Sequence, residues 1–183
     1  MDANTWIALL TAIIAGAVAL VGYSVTQFGN RRERKSKAYA EALALIREYQ
    51  ELPYRVRQRP SSDNATRAAL GGQTSDVLTK LGFYLAWLHI ESSEVGTAYN
   101  DLSAQVRRFG GDHRDAAWMA GPIVSDEEMT TLKYGYDVDP EMKLCISAMR
   151  RELSFWGFLS RRSVQRSLAR QRLARAEERA RGK

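Results

Sequence analysis

The first apolar segment of the chain is a run of about 20 residues, 6–25, made mostly of Ala, Leu, Ile, Val and Gly. The only ionisable side chain within it is that of Tyr23. A helix of about 20 residues rises about 30 Å, which matches the hydrocarbon layer of a bilayer. The pattern therefore predicts a transmembrane helix over residues 6–28, preceded by a short translocated N-terminus over residues 1–5.

Two other interpretations of this segment are a buried core helix and a cleaved signal peptide. A core helix of this length normally shows a polar face, yet Thr11 is the only polar residue near the middle of the run. A secretory signal begins with a basic region, whereas this chain begins with the acidic stretch MDANT. Both features favour the transmembrane interpretation.

A basic juxtamembrane segment, residues 29–37, follows the apolar run. Its bases are Arg31, Arg32, Arg34, Lys35 and Lys37. Bases that flank a span are retained in the cytoplasm, so we expect the N-terminus outside and the rest of the chain in the cytoplasm. These bases are also predicted to contact the anionic inner leaflet. Arg outnumbers Lys 21 to 6, which is typical of a high-GC bacterium or its phage, so the membrane would be a bacterial inner membrane.

Small residues recur along one face of the predicted span, at spacings of three and four. They are Ala8, Ala12, Ala15, Gly16, Ala19 and Gly22. Such a seam lets two helices approach closely and predicts a homo-oligomer formed through the transmembrane helix. The alternative is that Ala and Gly are simply common in membrane spans.

Residues 38–160 show helical periodicity and no convincing paired strands, which predicts a cytoplasmic α-helical domain of about four to five helices. The first helix runs on from the basic segment to about residue 51 and ends near Pro53. A loop over residues 52–64 follows. In it Arg55, Arg57 and Arg59 alternate, so an extended backbone would place them on one side as an anion site, whereas the alternative is a solvated loop.

The next segment predicts a short helix over residues 64–70, a break at Gly71–Gly72, and a strongly apolar helix over residues 76–91. This second helix has one apolar stripe through Val77, Leu81, Leu85 and Leu88 and another through Phe83, Trp87 and Ile90. A helix that is apolar on two faces is expected in the middle of a bundle.

Ser92 or Ser93 is predicted to cap a helix that ends at Gly110–Gly111, with a loop over residues 110–125. A capping-box spacing predicts a short helix over residues 125–133. The sequence Asp139–Pro140–Glu141 then marks the start of a last helix in this domain. All these elements make the predicted fold all-α.

Charge divides the chain and bears on its partners. Residues 38–160 hold 13 bases and 17 acids, whereas the basic tail, residues 161–183, holds nine bases and two acids. We expect Arg161, Arg162, Arg166 and Arg170 to contact anionic lipid. The alternative partner is nucleic acid, although no RNA-binding module or helix-turn-helix pattern accompanies the tail.

No catalytic, cofactor or metal site is predicted. One cysteine, Cys145, cannot build a Cys-rich metal site, and it falls on an apolar stripe. His89 and Glu91 match half of a zinc deaminase signature whose other half needs two cysteines. Residues 112–115 (DHRD) contain metal-ligand types, but an exposed loop of polar residues is the far more common explanation of such a stretch.

The sequence therefore predicts a non-enzymatic, single-pass membrane protein whose cytoplasmic helical domain binds an unidentified cytoplasmic or membrane protein. An accessory or adaptor role in signalling, in the envelope or in phage biology fits this organisation. The alternative function is a membrane-tethered nucleic-acid-binding protein that acts through the tail of residues 161–183.

Overall fold

A computed structural model describes residues 3–123, 125, 127–128, 134–154, 169–170, 173–175 and 177, with the backbone alone for residues 3–13. This part of the chain is all-α and contains no strand, which confirms the predicted fold class. Its four long helices are α1 (Ala3–Arg57), α2 (Asn64–Glu91), α3 (Ser93–Met119) and α4 (Asp139–Glu152).

The chain divides into two units, residues 1–39 and residues 40–183. In the first unit, the large apolar side chains of residues 14–28 are exposed, with Ile14 at 56% and Val18 at 67%, whereas Tyr39 at its end is buried. Within the part of the chain that the structure describes, no helix has an apolar stretch long enough to cross a membrane. The first residues of the predicted span, up to residue 13, have side chains outside the described part.

Helix α1 is continuous from Ala3 to Arg57, so the expected helix end near Pro53 is wrong. Pro53 lacks an N–H group and so cannot bond the carbonyl oxygen four residues earlier. Pro53, Leu52 and Val56 are all buried, and this packing outweighs the lost hydrogen bond.

The second unit contains the last turns of α1, which present a buried stripe to the bundle. Ala42, Leu45, Ile46 and Tyr49 are buried there, at the three- and four-residue spacing of a helix face. The Tyr99 hydroxyl of α3 donates to the Ala42 carbonyl at 3.0 Å. This part of α1 therefore packs as an ordinary amphipathic helix.

Helix α2 is one helix, not the predicted short helix followed by a break. Asp63 caps it by accepting from the Thr66 N–H at 2.7 Å, and the chain continues helically through Gly71–Gly72. Its buried residues include Val77 and Leu88, as the first predicted stripe requires. In the second stripe Phe83 and Ile90 are exposed, at 63% and 83%, whereas Trp87 is half-buried. With two of its three residues exposed, this stripe does not give α2 the expected central place.

Helix α3 occupies the centre instead, because it packs against both α2 and α4 and contacts α1 through Tyr99. Ser92 caps it, as predicted. The expected stop at Gly110–Gly111 is wrong, since the helix runs on to Met119. A Cβ atom at Gly110 would lie 2.5 Å from Tyr49 Cε1. Gly110 therefore allows a close approach of α1 and α3 and is not a helix terminator.

Helix α4 begins at Asp139 with a proline in its first turn, as predicted, but Val138 occupies the capping position and makes no side-chain cap. Cys145 and Met149 are buried along its inner face. Of the predicted helix over residues 125–133 the structure describes only residues 125, 127 and 128, of which 127–128 are helical, and most of the basic tail lies outside the described residues.

Candidate functional site

The predicted lipid-contacting bases of the juxtamembrane segment lie on α1, directly after the exposed apolar side chains. Four of the five are exposed, and Lys35 is half-buried. The Arg34 Nε atom donates to the Asn30 carbonyl at 3.3 Å, which holds that side chain along the helix. These five residues form what we call the basic band.

The other predicted contact residues are only partly described. Of the tail bases named above, Arg170 is exposed, and the three at positions 161, 162 and 166 lie outside the described residues. In the small-residue face, the side chains of Ala8 and Ala12 are not described. Ala15, Gly16, Ala19 and Gly22 are all exposed.

The three alternating arginines do not form an anion site on an extended loop. Helix α1 includes Arg55 and Arg57, which ends the helix. Arg57 donates to the Gly121 carbonyl and, at 3.1 Å, to the Glu128 carboxylate. Arg57 therefore takes part in contacts within the bundle, and the same is true of Arg59.

Arg59 is 3% exposed and binds the C-terminal end of α3. It donates to the carbonyl oxygens of Val56, Ala117 and Trp118 at 2.8, 3.1 and 3.2 Å. Its guanidinium carbon lies 4.6 Å from the ring centroid of Trp118. A cation at a helix C-terminus is stabilised by the carbonyl oxygens left without helical partners. Arg59 thus fixes the end of α1 against α3.

A pocket of about 250 Å³ lies between α1 and the start of α4 and is here called the tyrosine pocket. Its lining residues are Arg47, Gln50, Glu51, Tyr54, Tyr134, Tyr136, Val138, Asp139 and Met142. The rings of Tyr54 and Tyr134 meet edge to face, with centroids 4.7 Å apart and planes at 77°. Aromatic walls at right angles form a corner that can receive a flat or cationic group.

Hydrogen bonds fix the aromatic walls of the tyrosine pocket. The Tyr134 N–H donates to the Tyr54 hydroxyl at 3.0 Å, and the Tyr136 hydroxyl donates to the Gln50 carbonyl at 3.4 Å. Behind Tyr136, the His113 ring lies 5.1 Å away in an edge-to-face arrangement. Burial raises the pKa of the Tyr136 hydroxyl well above its usual range, so the phenol stays neutral at physiological pH.

The described lining of the tyrosine pocket holds one base, Arg47, two acids, Glu51 and Asp139, and neither a histidine nor a cysteine. Among the described residues, no three His, Cys, Asp or Glu side chains come together as a metal site.

Cys145 and His113 are not among the residues that line the tyrosine pocket. Burial raises the pKa of the Cys145 thiol to about 12, which keeps it protonated and weakly nucleophilic. The His113 Nε2 atom is hydrogen-bonded to the Gly135 carbonyl oxygen at 2.8 Å. The DHRD residues, 112–115, lie within α3 and not in the predicted loop.

Sequence reasoning did not find the tyrosine pocket. Its walls come from α1 and from residues 134–142, which are about 80 positions apart in sequence, as the Tyr54–Tyr134 contact shows. The available signal was the pair Tyr134 and Tyr136, two aromatic residues placed just before a clear helix start. Comparison of the chain with protein-family models, with curated proteins and with solved structures finds no match.

Proposed function

We propose that this chain is a non-enzymatic, single-pass membrane-anchored protein whose cytoplasmic helical domain binds a protein partner. The observation that carries the proposal is the first half of α1. There, exposed apolar side chains, including Ile14 and Val18, lead without a break in the helix into the basic band. Large apolar side chains on the surface of a helix need an apolar medium or another protein to cover them.

The basic band supports a defined orientation. A flexible linker would leave its five bases unordered, whereas a continuous helix places them within about two turns of the apolar segment. At that depth they meet lipid phosphates on the cytoplasmic side, with the N-terminus translocated. This arrangement would put the bundle of residues 40–154 in the cytoplasm of a bacterium.

The tyrosine pocket is the feature of the bundle best suited to a partner. A volume of about 250 Å³ holds one side chain or a small group, which fits an adaptor that recognises a short segment of another protein. Because Glu51 and Asp139 outnumber Arg47 at its rim, a basic side chain of the partner is the better-matched occupant.

Fractionation tests the membrane part of the proposal. In a bacterial host, the full chain should remain in the membrane pellet after alkaline carbonate or high-salt washing, because a spanning helix does not depend on ionic contacts. A reporter that works only in the cytoplasm should be active when it is fused after Lys183, and a periplasmic reporter fused there should be inactive. Recovery of the chain in the supernatant, or activity of a periplasmic reporter, would contradict it.

A crosslinking pull-down from detergent extracts tests the binding part. We expect a protein recovered by the wild type and lost when Tyr54→Ala and Tyr134→Ala are combined. The matched control is Tyr84→Ala, which removes a tyrosine from α2 outside the pocket. If the full chain instead binds DNA or RNA in a salt-sensitive manner, and loses this binding on deletion of residues 161–183, the nucleic-acid function replaces this one.

A further inference from the structure

Three tyrosine rings line the tyrosine pocket. Tyr54 belongs to α1, and Tyr134 and Tyr136 belong to the segment before α4. All three residues are half-buried, so the bundle covers part of each side chain and the pocket borders another part. The face of an aromatic ring carries negative charge density and attracts a cation within about 6 Å of the ring centroid. The pocket therefore has the aromatic lining of a site for a positively charged group.

Other aromatic side chains hold two of these rings in place. The centroid of the His113 ring lies 5.3 Å from that of Tyr134 and 5.1 Å from that of Tyr136. Phe109 stacks on His113, with centroids 6.4 Å apart, and His113 is hydrogen-bonded to the Gly135 carbonyl oxygen at 2.8 Å. His113 and Phe109 are not among the described lining residues, so they support the walls from behind. Walls that are ordered in advance lower the entropic cost of binding.

The oxygen atoms next to these rings already accept hydrogen bonds from the protein. The Gln50 carbonyl accepts from the Tyr136 hydroxyl at 3.4 Å, and the Gln50 side chain accepts from Arg47 at 3.3 Å. The Tyr54 hydroxyl accepts from the Tyr134 N–H at 3.0 Å. A lysine ammonium or an arginine guanidinium must leave water and find new acceptors for its N–H donors. Because these oxygens are engaged, the pocket replaces water poorly for such groups.

The charged side chains of the pocket give it a net negative charge without close ionic contacts. Glu51 and Asp139 carry two negative charges against the one positive charge of Arg47. All three residues are exposed, so water and salt weaken any direct ion pair formed there. The rim therefore attracts a cation, while the tyrosine rings provide the surface on which it rests.

We propose that the tyrosine pocket binds a quaternary ammonium group, carried by the partner protein as a trimethylated lysine side chain. This inference rests on the proposed function, in which the pocket receives a basic side chain of a partner. A quaternary ammonium has no N–H donor, so the engaged oxygens cost it nothing, and its methyl groups contact aromatic faces directly. The pocket volume of about 250 Å³ accommodates such a head group and the end of its alkyl chain.

Isothermal titration calorimetry of the full chain tests the ligand class. The chain is kept in a maltoside detergent, which carries no choline group that could compete. The probe is N-acetyl-trimethyllysine amide, and it is compared with the corresponding derivatives of lysine and arginine. A neutral isostere, in which carbon replaces the ammonium nitrogen, has the same shape without the charge. We expect the trimethyllysine derivative to bind about tenfold more tightly than each of the other three.

A matched pair at one position separates the aromatic face from the rest of the side chain. Tyr134→Leu removes the ring and should weaken binding of the trimethyllysine derivative about tenfold, whereas Tyr134→Phe keeps the ring and should restore most of the affinity. Tyr84→Leu, which removes a tyrosine of α2 outside the pocket, is the control and should bind like the wild type. The midpoint of urea unfolding is compared for all variants.

A charge variant tests the site independently of the aromatic walls. Arg47→Gln removes the one base of the described lining and should tighten binding of the cation about two- to fivefold. Its control is Arg67→Gln, which removes an exposed arginine of α2 and should leave the affinity unchanged. Because Arg47 is exposed, this variant keeps the test decisive even where Tyr134→Leu impairs folding.

The outcomes distinguish this inference from the function on which it rests. Equal affinity for the trimethyllysine derivative and its neutral isostere, or tighter binding of the lysine or arginine derivative, would overturn the quaternary ammonium site. Tighter binding of glycerophosphocholine than of the trimethyllysine derivative would overturn the assignment to a protein side chain. If the pull-down partner depends on Tyr54 and Tyr134 but the trimethyllysine derivative does not bind, this inference fails and the proposed function stands. Binding of the derivative without recovery of any protein would instead contradict the proposed function.

Discussion

The two halves of α1 have opposite relations to their surroundings, although they belong to one helix. In residues 14–28 the large apolar side chains are exposed, whereas in residues 40–57 most of them form a single buried stripe and the charged residues are exposed or half-buried. Ile14 is 56% exposed and Ile46 is fully buried. Ile46 is thus covered by other residues of the bundle, whereas the described residues leave Ile14 largely uncovered.

This difference explains why helix continuity by itself says little about how a segment is stabilised. The bundle half gains free energy from contacts with α3, among them the Tyr99–Ala42 hydrogen bond. The apolar half must be stabilised by a medium or by a second molecule, since each exposed large side chain forgoes about 1.5 to 3 kcal/mol of burial. Its bases follow at the point where a bilayer would end.

The largest expected effect comes from placing charge in the apolar half. Ile14→Arg combined with Val18→Arg should abolish membrane insertion, since each arginine near the centre of a span costs about 2.5 to 3.5 kcal/mol. Ala40→Arg combined with Ala44→Arg is the matched control, with the same spacing at exposed positions of the same helix. Carbonate extraction measures the result. Equal membrane fractions for the two pairs would show that residues 6–28 do not span a bilayer.

A cavity in the bundle half should have the next largest effect. Ile46→Ala removes a fully buried side chain and should lower the free energy of unfolding of the bundle by about 2 to 5 kcal/mol. The identical change at Ile14 should leave it within about 0.5 kcal/mol. Urea unfolding in mild detergent, followed by tryptophan fluorescence, compares the two. If Ile14→Ala destabilised the bundle as strongly, the two halves would not be energetically separate.

The close approach of α1 and α3 at Gly110 gives a third, smaller effect on the free energy of unfolding. Gly110→Ala should destabilise the bundle by about 1 to 3 kcal/mol, because the added Cβ would lie 2.5 Å from the Tyr49 ring. Gly111→Ala has open space around it and should stabilise the bundle by up to about 1 kcal/mol through helix propensity. Opposite signs in urea unfolding are the expected result, and a shared sign would contradict the close approach at Gly110.

The sequence predicted helix positions well where periodicity was long and failed at single residues that usually end helices. Gly71–Gly72, Gly110–Gly111 and Pro53 all lie inside helices. At Gly110 and Pro53 tertiary packing decides, as the Tyr49 contact of Gly110 illustrates, and local propensity cannot report it. A Cβ atom at Gly71 or Gly72 would have nothing within 4 Å, so packing at these two glycines does not explain why the helix continues there. The start of α4 was predictable because proline and acids in the first turn act locally.

The candidate sites were less predictable than the helices. The basic band was visible in the sequence because its five bases lie within seven residues, whereas the tyrosine pocket and the ion pair of Arg175 with Glu141 join residues far apart in the chain. Arg175 pairs with Glu141 across 34 positions, and no periodic pattern indicates which of nine tail bases does so. Arg59 appeared to be a solvated loop residue, yet it binds carbonyl groups of α3.

The outer face of α2 provides the smallest expected effect and the finest test of the comparison. Phe83 resembles Ile14 in being a large, exposed apolar residue, at 63%, but it belongs to the bundle. Phe83→Gln should change the free energy of unfolding by less than about 0.5 kcal/mol. Leu88→Gln, on the buried face of the same helix, should cost several times more, since it buries an amide without a partner. A large loss for Phe83→Gln in urea unfolding would mean that this face is covered in solution, as the apolar half of α1 must be.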